Sequence, residues 1–191
     1  MQIGSSPYSG LFSFHSFPSF MFDSDMDGNM KILLFNRYIK RLEREEKPDI
    51  IILGVPGAVQ NLSEEFTLGF AMTPYLTFNA VLVDYLILCS FFETSEEFLK
   101  MVSTMCEYKF DCPVDCFHIS NLAIDMSETS GRKRLTTLAY SSDFVRQKLL
   151  EAESGEIQKF NLLEPENQET LFKLIMDKIA SDFSMARRTI I

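Results

Sequence analysis

Short aliphatic runs alternate with stretches of helical periodicity along this chain, and that alternation predicts its plan. Ile50–Val55 reads IIILGV behind Lys47-Pro48-Asp49 and ends at Pro56-Gly57. A continuous aliphatic run of this length, closed by a turn dipeptide, predicts a strand buried on both faces of a parallel sheet. Asp84–Phe91 (DYLILCSF) and Val114–Ser120 (VDCFHIS) repeat the pattern. Arg134–Tyr140 is less apolar and predicts an edge strand, and Ile157–Leu163 predicts a short last one.

Between these runs the period changes from continuous to helical. Ile32, Phe35, Ile39 and Leu42 predict an amphipathic helix over 26–46, capped by Asp25 or Asp27 and stopped by Pro48. Residues 73–82 predict a short helix with Pro74 near its start. Thr94 or Ser95 caps the next, whose buried stripe is expected to be Phe98, Val102 and Met105. A helix from Ser142 or Asp143 to about Glu153 follows, then one over 166–183 carried by Leu171, Leu174, Ile175, Met176 and Ile179. Asn121–Lys133 is polar and reads as loop.

This order implies βαβ units and an α/β fold: a mostly parallel sheet flanked by helices, expected to join residues 50–55, 85–90 and 114–119. The expected architecture is Rossmann-like or P-loop-like, with three layers. No composition break divides residues 23–185, which read as a single domain with a frayed tail at 186–191. Residues 1–22 interrupt five phenylalanines with Gly4, Pro7, Gly10 and Pro18, and predict an irregular segment. So many rings need a surface to cover: the segment either packs on the core or forms a binding loop, for which Phe12, Phe14, His15, Phe17 and Phe20 are the partner-binding candidates.

Charge removes some classes of partner. The 191 residues carry a net charge of −9, against a nucleic-acid binder, which needs a basic face, and against anionic lipid. No stretch of about 18 apolar residues exists to cross a membrane. The spacings of Cys106, Cys112 and Cys116 match no common zinc site, so structural thiols in a reducing cytoplasm are expected, with no metal; Cys89 and Cys116 read as small strand hydrophobes.

Ligands of open α/β sheets sit outside the carboxyl ends of strands. That rule selects Gly54, Pro56 and Gly57, where backbone could approach a ligand or simply leave a strand. It also selects His118 and Asn121. His118 could act as an acid, base or ligand, or be a satisfied structural residue within its strand. The chain holds no GxxxxGK[ST], GxGxxG or GxSxG motif, so phosphate-cradle and acyl-transfer readings lack their central part. Glu64-Glu65 reads as a helix first turn rather than a cation site. No complete catalytic constellation and no cofactor is identified.

Several segments together resemble the bacterial peptide maturation system proteins, accessory proteins encoded beside radical-SAM enzymes and small Cys-rich precursor peptides. They are Gln2–Ser5, Leu11–Pro18, Phe20–Phe22, Lys47–Asp49 with Leu53–Gly57, Phe66–Phe70, Tyr108–Phe110, Val114–Asn121 and Tyr140. The resemblance covers most of residues 1–150 and is weaker beyond. It implies an accessory protein that binds a precursor peptide or a modifying enzyme. It also implies a strand and a Gly-containing loop upstream of Gln2, so that the sheet is expected to lack its N-terminal strand. The alternative is the C-terminal portion of a P-loop-like nucleotide-dependent enzyme, with nucleotide binding possible only where upstream sequence supplies the phosphate cradle.

Overall fold

The protein is described by a computed structural model covering residues 1–4, 14–61, 64, 71–132, 134–151 and 157–188, with side chains to 181. It is an α/β structure of small parallel sheets flanked by helices. The chain divides into two compact units, Met1–Val83 and Asp84–Ile191, each with its own core. The even composition of residues 23–185 gave no sign of this boundary, because both units are built from the same residue types.

Unit 1 contains β1 (Gln2–Gly4), β2 (Phe14–Ser16), a 3₁₀ turn (Ser19–Phe22), α1 (Gly28–Glu46), β3 (Ile52–Leu53) and α2 (Met72–Ala80). Its sheet is parallel in the order β2-β1-β3, with Gln2 opposite both Phe14 and Ile52. The segment expected to be irregular thus contributes two of the three strands, and Gln2–Gly4 is the central one. Pattern could not reveal strands of three residues, which are fixed by pairing, β1 with both Ile52–Leu53 and β2, and β2 with β1, rather than by their own periodicity.

The α1 helix follows its sequence signals closely. The Asp27 side chain accepts hydrogen bonds from the backbone N–H of Asn29 (2.9 Å) and Met30 (3.3 Å). At the other end Lys47 turns left-handed and Pro48 prevents continuation. Phe35, Ile39 and Leu42 bury their stripe with Ile3, Phe17 and Met21.

Unit 2 contains β4 (Ile87–Ser90), α3 (Glu96–Phe110), β5 (Cys116–Ile119), β6 (Leu122–Ile124), α4 (Met126–Arg132), β7 (Thr137–Ala139), α5 (Ser142–Glu151), β8 (Lys159–Phe160) and α6 (Pro165–Arg188). Strands β4-β5-β8 form a second parallel sheet, and β6 and β7 pair antiparallel. The core joins Leu99, Phe117, Ile119, Ala123 and Val145. At the amino ends of the strands the Asp115 carboxylate accepts from Leu86 N–H (2.7 Å) and from Lys178 Nζ (2.5 Å), fastening α6 to the sheet.

Several expectations are corrected here. The runs at 50–55, 85–90 and 114–119 do not share one sheet: the first belongs to unit 1 and the others to unit 2. Strand β3 is an edge strand, not buried on both faces, and Ile52 is 58% exposed. Residues 121–133 are not loop, since β6 and α4 lie within them; Thr129 is buried there and bonds Thr136 through its hydroxyl. On α3 the buried stripe is Leu99, Val102, Cys106 and Phe110: Val102 is buried as expected, but Leu99 and Cys106 take the places expected of their neighbours Phe98 and Met105.

Candidate functional site

The carboxyl ends of parallel strands carry most of the candidate residues, Gly54, Pro56 and Gly57 in unit 1 and His118 and Asn121 in unit 2, where the polar side chains are bonded within the fold. The β5 strand delivers His118, and the turn after it delivers Asn121. The β8 strand runs out at Asn161, which is 0% exposed. Asn161 Nδ2 donates to Asn121 Oδ1 at 2.6 Å, and Asn121 Nδ2 donates to Ser142 Oγ at 2.8 Å. Asn161 Oδ1 accepts from Leu163 N–H at 2.9 Å, and its carbonyl accepts from Asn167 Nδ2 at 3.1 Å. Asn121 is therefore a strut between β5, α5 and the exit of β8.

His118 is similarly engaged. Leu162 N–H donates to its Nδ1 at 3.2 Å, and Phe160 O lies 3.4 Å from the same nitrogen. With the proton on Nε2 the Nδ1 accepts from Leu162 N–H, and with it on Nδ1 the ring donates to the Phe160 carbonyl, so either tautomer is held by backbone. Burial pushes the imidazole pKa below its ordinary 6.5, partly offset by the Phe160 carbonyl.

At the exit of β4, Ser90 Oγ donates to Thr94 Oγ1 (2.9 Å) and Thr94 Oγ1 donates to Phe91 O (2.7 Å). Between them Glu93 adopts φ +69°, unusual for a side-chain-bearing residue. Its carboxylate accepts from Tyr140 Oη at 3.4 Å, while the Tyr140 ring stacks on Phe144 and tilts against Phe92. Asn161 and Glu93 escaped sequence reading. A signal existed for Asn161, a lone amide between Phe160 and Leu162-Leu163. None existed for Glu93, whose backbone angle is set by the Ser90–Thr94 turn.

In unit 1, Gly4 and Gly54 end neighbouring strands. Gly54 N–H donates to Ile3 O at 2.6 Å, and a Cβ added at Gly54 would meet Ile3 O at 3.4 Å and Gly4 Cα at 3.5 Å. Those are contact distances, so glycine there eases the approach without being required. Gly57 differs: φ is +97° and a Cβ would meet only Pro74 Cδ at 3.8 Å, so backbone conformation demands the glycine. Pro56 precedes this bend and offers no N–H. His15 Nε2 lies 2.6 Å from Glu46 Oε1, an ion-pair distance without hydrogen-bond alignment.

The aromatic candidates are distributed unevenly. Phe17 is only 6% exposed and tilts against Phe35 at 5.4 Å between ring centroids, so it belongs to the core rather than to a partner surface. Phe20 packs against the same core, and Phe14 is half-buried in β2. Phe12 lies outside the described residues, as does Glu65.

Cys89 is exposed on β4, contrary to the expectation of a packed strand thiol, whereas Cys106, Cys112 and Cys116 are buried. Burial raises the pKa of the Cys106, Cys112 and Cys116 thiols, Cys106 and Cys116 to about 11, which leaves them protonated and poorly nucleophilic near neutral pH. Among the described residues no three His, Cys, Asp or Glu side chains converge as a metal site, and no helix is long and apolar enough to cross a membrane.

No protein-family model matches the chain, and no curated protein or solved structure does so either.

Proposed function

We propose that the chain is a non-catalytic accessory component of a bacterial system that matures ribosomally synthesised peptides, acting in the cytoplasm by binding a precursor peptide or a modifying enzyme. The family reading comes from the sequence motifs quoted above. The observation that favours binding over catalysis lies at the carboxyl ends of the unit 2 strands, where Asn121, Asn161 and Ser142 bond in a chain and His118 Nδ1 is held by the backbone of Leu162. Groups held in this way fix the shape of a surface and are not poised to accept a proton or attack a substrate. The acidic balance suits a protein or peptide partner, not a nucleic acid or lipid surface. The parallel order of the two three-stranded sheets fits a Rossmann-like or P-loop-like layering, which is part of this proposal.

A second reading keeps one observation of its own. The bend at Gly57 follows a strand's carboxyl end, where a nucleotide phosphate sits in P-loop-like enzymes. Pro56 removes one of the few donors there, so such binding needs a cradle from upstream sequence.

One experiment separates the readings. The chain is titrated calorimetrically with the Cys-rich precursor peptide encoded beside its gene, and separately with ATP and GTP, each with magnesium. Peptide binding with no heat from nucleotide is the expected result. Absence of such a peptide and of a radical-SAM enzyme from the gene neighbourhood would remove the first reading. Low-micromolar ATP binding that Gly57→Val abolishes would replace it with the second.

A further inference from the structure

The α3 helix is apolar on two faces, and its fold accounts for only one. Leu99, Val102, Cys106 and Phe110 are buried, with Leu99 packed beside Phe117 and Ile119 of β5. About a third of a turn away runs a second stripe: Phe98, Met101, Met105 and Tyr108, at steps of three, four and three residues. Phe98 is 40%, Met101 48% and Tyr108 86% exposed, and Met105 is half-buried. Steps of three and four place all four residues on one line along the helix, the spacing by which one helix receives another. A row of aromatic and methionine side chains left in water is unfavourable, and flexible methionines suit a surface that adapts to an incoming helix.

Charge beside the stripe selects the occupant. Glu97, Glu107 and Asp111 are exposed and form no ion pair among the described residues. The nearby cations are engaged: Lys100 lies 3.4 Å from Glu96, and Lys109 Nζ sits 5.5 Å over the Phe110 ring. An acidic border along an apolar row complements a helix with lysine or arginine beside its own apolar face. A second copy of α3 would bring the same acidic border and so fits less well.

We propose that this face of α3 docks a basic amphipathic helix supplied by a partner. The inference does not rest on the peptide-maturation reading, since it is tested with synthetic probes. The test is fluorescence anisotropy of the full chain with two labelled helical peptides that share one leucine pattern, one lysine-rich and one glutamate-rich. The lysine-rich peptide should bind at about 10 µM, as small interfaces do, and about tenfold more weakly in 0.5 M salt. The glutamate-rich peptide should not bind. Met101→Glu adds an acid yet should weaken the basic peptide about tenfold, because contact with the apolar row is lost. Glu97→Lys should weaken it through charge. Tyr108→Ser, at a side chain almost wholly in solvent, carries the same test where Met101→Glu fails to fold. Equal binding of both peptides, or Met101→Glu and Tyr108→Ser binding like wild type, would overturn the proposal. So would sedimentation showing a dimer that Met101→Glu dissociates, since the face would then belong to a second copy.

Discussion

Replacing Asn161 by Ala should destabilise unit 2 more than any other single polar substitution at its strand ends. The side chain is wholly buried and makes two hydrogen bonds, to Asn121 Oδ1 at 2.6 Å and from Leu163 N–H at 2.9 Å. Each is worth about 1 kcal/mol net, and truncation also leaves the Leu163 N–H and Asn121 Oδ1 without their partners. The two losses and the orphaned groups together come to about 3 kcal/mol. Asn121→Ala should cost less, about 2 kcal/mol, because Asn121 is itself partly solvated although its loss leaves the buried Asn161 Nδ2 without an acceptor. If the two amides act as a pair, the double variant should be less destabilised than the sum of the singles, by about 1 kcal/mol. Urea unfolding followed by circular dichroism measures all three, fitted as two transitions where the units melt separately. A cost below about 1 kcal/mol for Asn161→Ala, or strict additivity in the cycle, would refute the view that this network holds the strand ends.

Two further predictions concern His118 and the glycines. Because the folded imidazole has a pKa below the 6.5 of the unfolded chain, its contribution is complete above pH 6.5 and declines below it, at up to about 1.4 kcal/mol per pH unit, until the folded ring also protonates. His118→Asn keeps an acceptor near Leu162 N–H without a titrating ring, so wild type should lose stability relative to it between pH 6.5 and 5 in urea titrations; parallel pH profiles would refute the assignment. Gly57→Ala, at φ +97°, should cost about 1–2 kcal/mol in thermal melts, whereas Gly54→Ala, whose Cβ would rest at ordinary contact, should cost less than about 1 kcal/mol; the reverse order would refute the conformational argument.

Helices were more legible than sheets in this sequence, for a physical reason. A helix carries its signals locally, and α1 shows them in full: the Asp27 cap, the Phe35–Ile39–Leu42 stripe and the stop at Lys47-Pro48. Strand character was readable in the aliphatic runs at 87–90 and 116–119, but strand partnership was not, because pairing is a non-local property. Hence β1 and β2 went unseen, and three runs expected in one sheet lie in two. On α3 the expectation held at Val102 and missed at its two ends. Phe98 and Leu99, and Met105 and Cys106, are adjacent apolar pairs, and periodicity alone cannot say which member of each faces the sheet. Sequence placed His118 and Asn121 correctly at a strand end but could not supply Leu162, Ser142 and Asn161, the partners that fix their roles.

Those partners also bear on where function resides. A polar side chain at a strand's carboxyl end can face a ligand only if its hydrogen-bonding capacity is free. Asn121 uses both its amide nitrogen and its oxygen within the fold, Asn161 does the same, and His118 commits Nδ1 to backbone. Opening any of them to a ligand would first cost about 1–3 kcal/mol for the bond broken and the group left bare. The outer row of α3 carries no such cost. Phe98, Met101 and Tyr108 are already partly or largely in water, Glu97, Glu107 and Asp111 form no ion pair among the described residues, and covering Met101 and Phe98 removes apolar surface at a gain of about 25 cal/mol per Å². Between a site whose polar groups must be detached before use and a surface that gains by being covered, the energetics favour the surface as the place for the proposed partner helix.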